Sequence, residues 1–144
     1  ADEPTSALDA TIQEEILVLL RGVRDTHGTA VIIVSHDLNA IRRVCDRTVV
    51  MYAGRIVEDG PTESVFAVPR HPYTRGLIAS LPRLEDDDIV LSSIPGQVPD
   101  LARLPDGCAF APRCPVVMPV CREQCPAASG TSHRAFCWAA EALP

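Results

Sequence analysis

The chain has 144 residues, of which 47% are hydrophobic and 22% are charged, and its formal net charge is -6 at pH 7. This length and apolar content suffice for one modest hydrophobic core, or for part of a larger one. The acidic balance argues against nucleic acid as a partner, because nucleic-acid-binding domains usually carry a basic face. No run of about 18 apolar residues occurs, so the sequence offers no candidate membrane-spanning helix.

The first predicted element is a helix between Asp9 and His27, where apolar residues recur at helical spacing. Thr11 and Glu14 match a capping box near its start. Gly28 suits its end, because glycine adopts the left-handed conformation that terminates many helices.

The second predicted element is a strand at residues 29–34, a short apolar run rich in β-branched residues. Such a run is typical of a parallel strand that is covered on both faces. His36 then lies at the carboxyl end of the strand, where open α/β sheets bind their ligands. Asp37 is the predicted cap of a second helix, which continues to about Val44.

Residues 48–53 and 55–58 predict two further strands that turn at Gly54, and a short helix is expected at residues 61–66. Proline becomes frequent from there on, and we predict a domain boundary near Val68. The appended residues 69–144 are expected to form a helix at 73–81, an acidic loop at 85–88 and a cysteine-rich tail.

Cysteine is the most informative residue type in the tail. Four thiolates on a loop-rich segment can enclose a four-iron four-sulfur cluster or bind tetrahedral zinc. The spacings match neither the usual zinc pattern nor the ferredoxin run, and a third alternative is that the thiols are buried as small hydrophobic groups. The candidate metal ligands are Cys108, Cys114, Cys121 and Cys137.

Four other Cys and His residues are considered as metal ligands or as structural residues. Cys125 is either a spare thiol or a replacement for one of the four ligands. His71 and His133 are interpreted as surface or capping residues rather than as metal ligands. Cys45, far away in sequence, is interpreted as a core residue.

Two sets of motifs carry a family resemblance. Residues 1–9 (Ala-Asp-Glu-Pro-Thr-Ser-Ala-Leu-Asp) and 34–37 (Val-Ser-His-Asp) resemble the back half of an ATP-binding-cassette ATPase. Residues 71–77, the Ile-Pro-Gly at 94–96 and the Gly-Cys-x-Phe-x-x-Arg-Cys-Pro at 107–115 resemble the C-terminal extension of oligopeptide and dipeptide importer ATPases, a branch that also contains nickel importers.

The resemblance implies an α/β fold: a partial parallel-sheet P-loop NTPase core over residues 1–68, followed by an irregular extension rich in Cys and Pro over 69–144. It also implies residue roles. Asp2 would hold the Mg²⁺ of bound ATP, Glu3 would activate the attacking water, and His36 would contact the γ-phosphate. Ser6 and Asp9 would belong to the loop that meets an opposing subunit, although Asp9 suits a helix cap equally well.

The resemblance further implies the cofactors and partners. ATP and Mg²⁺ would act in the full-length protein, and the family extension favours a 4Fe–4S cluster over zinc at the four cysteines. The partners would be a second ATPase subunit in a head-to-tail dimer, transmembrane permease subunits and, indirectly, an extracytoplasmic peptide-binding protein. The site of action would be the cytoplasmic face of the bacterial inner membrane.

The phosphate-binding motif G-x-x-x-x-G-K-[ST] requires a Lys, and all 13 basic residues of this chain are Arg. We therefore expect the chain to be the C-terminal part of a longer protein and not to hydrolyse ATP by itself. The alternative is a stand-alone metal-binding or iron–sulfur regulatory module without ATPase activity. The choice among oligopeptide, dipeptide and nickel as substrate stays open at this point.

Overall fold

A computed structural model describes residues 1–82 and 93–140. The chain divides into two compact units, Ala1–Asp46 and Arg47–Pro144. This division follows spatial contacts, whereas the boundary near Val68 was inferred from a change in sequence character and stays a prediction. No helix in the described residues is long and apolar enough to cross a membrane.

Helix α1 of the first unit spans Ala10–His27. The Asp9 carboxylate caps its start by accepting from the backbone N–H groups of Thr11 and Ile12, at 3.0 and 3.1 Å. Gly28 ends it in the left-handed conformation at φ 62°. The helix and its stop are confirmed, but the predicted capping box is wrong, because Asp9 takes the cap two residues before Thr11.

Helix α2 spans Leu38–Val44. Asp37 caps it as predicted, because its carboxylate accepts from the backbone N–H groups of Asn39 and Ala40. The unit buries little apolar surface, since its buried hydrophobic residues are Leu17, Ala40 and Ile41. The two helices are tied together at the surface by an ion pair between Arg43 and Glu14, at 2.5 Å.

The described residues do not form the predicted parallel sheet. Among the described residues, 29–34 form no strand, and the trace of parallel pairing is a single bridge between Asp2 and Val34. A parallel strand needs paired neighbours and cover on both faces, whereas Ile32 is 79% exposed and Val34 is 56% exposed. The prediction of an α/β fold holds, but the sheet is antiparallel and lies in the second unit.

That sheet has three strands in the order β1–β2–β3: Arg47–Tyr52, Arg55–Pro61 and Arg134–Ala135. β1 and β2 form the predicted hairpin. Its two loop residues, Ala53 and Gly54, both have positive φ, at 49° and 76°, which matches the twist of a two-residue hairpin turn. The register shifts between Val50 and Met51, so a bulge interrupts the pairing.

The helices of the second unit are short. α3 spans Thr62–Ala67, α4 spans Pro72–Ala79 and α5 spans Val120–Glu123, and 3-10 turns occupy Leu101–Arg103 and Ala111–Arg113. The first two confirm the helices predicted at 61–66 and 73–81, with ends that differ by one or two residues. The acidic loop predicted at 85–88 lies outside the described residues.

An aromatic core joins the hairpin to the later residues. Phe110 is 1% exposed, and its ring centroid lies 5.2 Å from that of Tyr52 and 5.5 Å from that of Tyr73. Arg113 adds polar contacts, donating from Nε to the carbonyl of Pro95 at 2.9 Å and from Nη1 to the Tyr52 hydroxyl at 3.3 Å. The cysteine-rich segment is therefore anchored against β1.

Candidate functional site

A cavity in the second unit is lined by all four cysteines proposed as ligands, Cys108, Cys114, Cys121 and Cys137. The buried residues His71 and Phe110 also line it. The four cysteines span thirty residues of irregular chain, so their convergence on one cavity was not evident from their spacing. The cavity is the strongest candidate for a functional site in this unit.

Backbone hydrogen bonds place these cysteines. The N–H of Cys108 donates to the carbonyl of Cys121 at 2.8 Å. This hydrogen bond joins the loop at Cys108 to α5. The N–H of Ala111 donates to the carbonyl of Cys108 at 3.0 Å and starts the 3-10 turn that leads to Cys114. Phe136 donates to the carbonyl of Val57 on β2 at 2.9 Å, which fixes the residue before Cys137.

The electrostatics of the cavity favour neutral thiols in the metal-free chain. Burial is the largest cause of the raised pKa of Cys108, Cys114 and Cys137. The charge of a neighbouring cysteine raises each of these pKa values further, and Cys121 acts on all three.

The chemistry of the four side chains and their arrangement lead to different conclusions about a metal. Cysteine sulfur is the donor of both tetrahedral zinc sites and iron–sulfur clusters. Within residues 1–82 and 93–140, however, no three His, Cys, Asp or Glu side chains are arranged so that they could hold a metal ion. The ligand set predicted from the sequence therefore stays a prediction.

Cys125 has different surroundings. It is exposed, and it is not among the described residues that line the cavity. Its thiol donates to the carbonyls of Asp106 and Gly107 at 3.2 and 3.1 Å and accepts from Arg55 Nη1 at 2.6 Å. Cys121, by contrast, is buried at the cavity. This geometry favours Cys121 over Cys125 as the fourth member of the set.

The turn at Gly107 requires glycine. A Cβ at this position would lie 2.3 Å from the carbonyl oxygen of Cys121 and 2.7 Å from the carbonyl carbon of Arg122. Both are backbone atoms of α5, so no side-chain rotation relieves the overlap. We expect Gly107→Ala to lower the free energy of unfolding by about 1–3 kcal/mol, the usual cost of overpacking, as measured by urea denaturation.

The matched control is Gly22→Ala in α1, where an added Cβ would meet nothing within 4 Å. This variant should be as stable as the wild type or more stable by up to about 1 kcal/mol, because alanine is the better helix former. Equal stability of Gly107→Ala and the wild type would contradict the backbone overlap.

Sequence reasoning missed a buried polar network beside this cavity. Glu58 on β2 is 0% exposed. Its carboxylate accepts from the backbone N–H of Arg70 at 2.8 Å, from that of His71 at 2.9 Å and from His133 Nε2 at 2.7 Å. One side chain thus ties β2 to the start of α4 and to the residue before β3. A lone Glu in a strand pattern is the only sequence signal of this role.

Glu3 and His36, the catalytic residues predicted in the first unit, are in contact with each other. Glu3 Oε1 accepts from the backbone N–H of His36 at 3.0 Å and lies 2.7 Å from His36 Nδ1. The N–H of Glu3 donates to the carbonyl of Val34 at 2.8 Å. This parallel pairing brings Asp2 and Glu3 beside the segment from Val34 to His36, although neither segment forms a regular strand.

Ser6 and Asp9 have local roles at the start of the chain. The Ser6 hydroxyl donates to the carbonyl of Glu3 at 3.0 Å, within a turn. The Asp9 carboxylate is engaged as the cap of α1. The capping alternative for Asp9 is therefore confirmed, and its contact with an opposing subunit stays a prediction.

Glu3 determines the titration of His36. The pKa of His36 is raised chiefly by its hydrogen bond to Glu3 and then by the Glu3 charge, and Asp37 adds a smaller effect. We expect Glu3→Gln to lower the His36 pKa back toward its ordinary value, which an NMR titration of the imidazole would measure. Asp37→Asn is the matched control, because it removes one nearby charge and keeps a good helix cap; a larger decrease there than in Glu3→Gln would contradict the assignment.

Comparison with known proteins finds a family match over part of the chain. Residues 57–121, which include most of β2, all of α4 and three of the cavity cysteines, match the family described as "Oligopeptide/dipeptide transporter, C-terminal region". This part of the chain is therefore similar to that C-terminal region.

Similar proteins match over a longer range. One from Brucella abortus, named "Putative peptide import ATP-binding protein", is 48% identical over 135 residues, which cover 94% of this chain and 41% of that protein. A protein with the same description from Brucella ovis is 50% identical over 132 residues, 88% of this chain and 39% of its own length. The chain thus spans about two fifths of the length of these curated relatives.

Proposed function

We propose that this chain is the C-terminal part of the ATP-binding and ATP-hydrolysing subunit of an ABC importer for oligopeptides or dipeptides. The observation that carries the proposal is the similarity to peptide import ATP-binding proteins over 94% of the chain. This match covers more of the chain than residues 57–121, so it includes part of the first unit.

The geometry at Glu3 supports the ATPase half of the proposal. Phosphoryl transfer needs little covalent chemistry from a protein and depends on positioning and charge stabilisation. The Glu3 carboxylate lies beside the His36 imidazole. The carboxylate provides a base for the attacking water, and the imidazole provides a hydrogen-bond donor for a phosphate oxygen. In the proposed enzyme, Glu3 orients and deprotonates the water, His36 donates to the γ-phosphate, and Asp2 holds Mg²⁺.

The remaining roles in that site belong to the dimer. Ser6 and Asp9 lie in the turn and helix cap that follow Glu3, on the loop that would face a second ATPase subunit. Transmembrane permease subunits and an extracytoplasmic peptide-binding protein complete the proposed importer. The subunit would be peripheral to the cytoplasmic face of the bacterial inner membrane.

At the second site, we propose that Cys108, Cys114, Cys121 and Cys137 hold a 4Fe–4S cluster. Their convergence on one cavity supports this proposal. Such a cluster would either store an electron or stabilise a segment with little regular structure through its bonds to the cysteines. Its thiolate ligands must lose protons that burial and mutual repulsion retain in the metal-free chain.

The test of the ATPase proposal is a chimera in which the preceding part of the Brucella abortus relative is joined to this chain. The chimera should hydrolyse ATP in a Mg²⁺-dependent manner, whereas the 144-residue chain, which has no Lys, should not. A folded chimera that binds ATP without hydrolysing it would contradict the proposal.

A second candidate function is a metal-binding or regulatory module that acts without ATPase activity. The described residues lining the cysteine cavity all belong to one compact unit, Arg47–Pro144. The unit therefore contains the whole described lining of the cavity without residues of the first unit. This alternative is favoured if the anaerobically purified chain contains iron and sulfide while the chimera shows no turnover.

A further inference from the structure

Cys108 and Cys121 lie thirteen positions apart in the sequence, but their backbones are in direct contact. The N–H of Cys108 donates to the carbonyl oxygen of Cys121 at 2.8 Å. Standard backbone bond lengths then limit the distance between the two Cα atoms to about 6.7 Å at most. The Cα atoms of disulfide-bonded cysteines are usually about 4.4–6.8 Å apart. No other pair of cysteines within residues 1–82 and 93–140 is joined by such a backbone hydrogen bond.

The side chains of these two residues also converge. Both line the cavity of the second unit, and both carry a free thiol. Two cysteines whose side chains point apart cannot be bridged without moving the backbone, whereas side chains that line one cavity do not point to opposite sides. Cys108 and Cys121 therefore meet the backbone conditions for a disulfide.

Local hydrogen bonds hold this arrangement in place. The carbonyl of Cys108 accepts from the N–H of Ala111 at 3.0 Å, and the N–H of Cys121 donates to the carbonyl of Met118 at 3.0 Å. A Cβ on Gly107 would lie 2.3 Å from the carbonyl oxygen of Cys121, so the two backbones approach closely on both sides of the hydrogen bond. Because the fold already brings the two cysteines together, bond formation closes a loop that the native chain has closed beforehand.

We propose that Cys108 and Cys121 form a reversible disulfide in the metal-free chain when it meets a small-molecule disulfide such as oxidised glutathione. Cys108 is the less buried of the two. Its thiol loses a proton and attacks one sulfur of oxidised glutathione, whose S–S bond breaks to release one reduced glutathione. Cys121 then attacks the Cys108 sulfur of this mixed disulfide and releases the second. Two protein thiols are oxidised, oxidised glutathione is reduced, and the two protons pass to the released thiols.

The bond makes the cavity sensitive to redox state. It uses two of the four thiols that line the cavity, so a group that needs all four can bind only the reduced chain. The inference concerns the chain without metal and depends neither on the proposed cluster nor on the proposed importer function. Its failure would leave both of those proposals unchanged.

Peptide mapping tests the pairing directly. The 144-residue chain would be reduced, freed of metal with a chelator and equilibrated with glutathione redox buffers. A mildly alkaline pH is chosen because burial raises the pKa of the Cys108 thiol. Free thiols would then be blocked with iodoacetamide, and the chain would be cleaved with trypsin. Cleavage after arginine places Cys108 on the peptide 104–113, Cys114 and Cys121 on 114–122, and Cys125 on 123–134.

We expect mass spectrometry to find the peptide 104–113 linked through Cys108 to Cys121, with Cys114 alkylated. The equilibrium constant for this bond should be at least about tenfold larger in the native chain than in the same chain in urea, which is a reduction potential at least about 30 mV more negative. Equal constants in the two states, or a native Cys108 that pairs with a different cysteine, would overturn the inference.

Cys121→Ser and Cys125→Ser are the matched variants for this experiment. Cys125 is the competing partner, because its thiol donates at 3.1 Å to the carbonyl of Gly107, the residue before Cys108. Cys125→Ser should keep the disulfide, and Cys121→Ser should leave Cys108 alkylated. Loss of the bond from a Cys125→Ser variant that is folded by far-UV circular dichroism would make Cys125 the partner and overturn the inference. Mapping of the wild type decides the pairing even if Cys121→Ser does not fold.

Discussion

We expect Cys114→Ser to abolish iron binding by the anaerobically purified chain and to remove its visible sulfide-to-iron absorption. Cys114 lines the cavity, and burial followed by the charges of Cys108 and Cys121 raises the pKa of its thiol. Binding to a metal reverses that preference by replacing the proton. A serine hydroxyl matches the thiol in shape but is a hard, weakly acidic ligand that iron–sulfur sites do not favour.

The variant should also be less stable than the iron-loaded wild type. The segment from Cys108 to Cys121 has as regular structure one 3-10 turn at Ala111–Arg113 and the start of the four-residue helix α5. In small metal-held segments, the free energy of ligation is also free energy of folding. Thermal unfolding followed by circular dichroism would therefore show an earlier transition for Cys114→Ser than for the loaded wild type.

Cys125→Ser is the matched control for this experiment, because it removes a thiol from the same segment but outside the cavity. It should retain iron and visible absorption, although the contact with Arg55 Nη1 is weakened. The opposite pattern, with iron lost from Cys125→Ser and kept in Cys114→Ser, would show that the ligand set includes Cys125. Iron retained in both variants would refute the assignment of Cys114.

Local signals in the sequence predicted local structure well. Asp37 and Gly28 lie where a helix cap and a helix stop were expected, and Gly54 lies in the hairpin turn. Each of these features depends on the conformation or hydrogen bonds of residues within one turn of chain. The capping box at Thr11 failed for the same reason, because Asp9 offers a competing cap with equally good chemistry.

Features that depend on distant residues were not predictable in this way. The strand expected at residues 29–34 needs neighbouring strands, and its apolar composition alone does not supply them. The carboxylate of Glu58 meets His133, which lies 75 residues away. No spacing in the sequence marks such a contact, so the network became evident only in three dimensions.

The cysteine cavity lies between these two cases. The sequence identified four thiols but left open which of five tail cysteines belong together, and their spacing did not exclude zinc. The structure separates Cys125 from the set through Arg55 and two carbonyl groups. It also brings in His71, which had been interpreted as a capping or surface residue. That interpretation was half right, because His71 caps α4 through Nδ1 and is nonetheless buried at the cavity.

In the chimera with the preceding part of the Brucella abortus relative, Glu3→Gln should lower the ATPase turnover number by about 10²- to 10⁴-fold, the usual contribution of a general base. Glutamine keeps the size of the side chain and accepts one hydrogen bond, but it cannot take a proton from water. ATP binding should be nearly unchanged, because phosphate binding depends on other residues of the enzyme. Steady-state kinetics and equilibrium binding of ATP would measure the two effects separately.

The matched control is Glu15→Gln, which makes the same change at an exposed position of α1. Its turnover should equal that of the unmodified chimera. Because Glu3 Oε1 also accepts from the His36 backbone N–H, a loss of activity could arise from a displaced His36 rather than from a missing base. The single variant His36→Ala distinguishes the two: a loss that arises only from a displaced His36 cannot exceed the loss in His36→Ala, whereas a missing base gives the larger loss in Glu3→Gln. Retained activity in Glu3→Gln would remove Glu3 from the catalytic role.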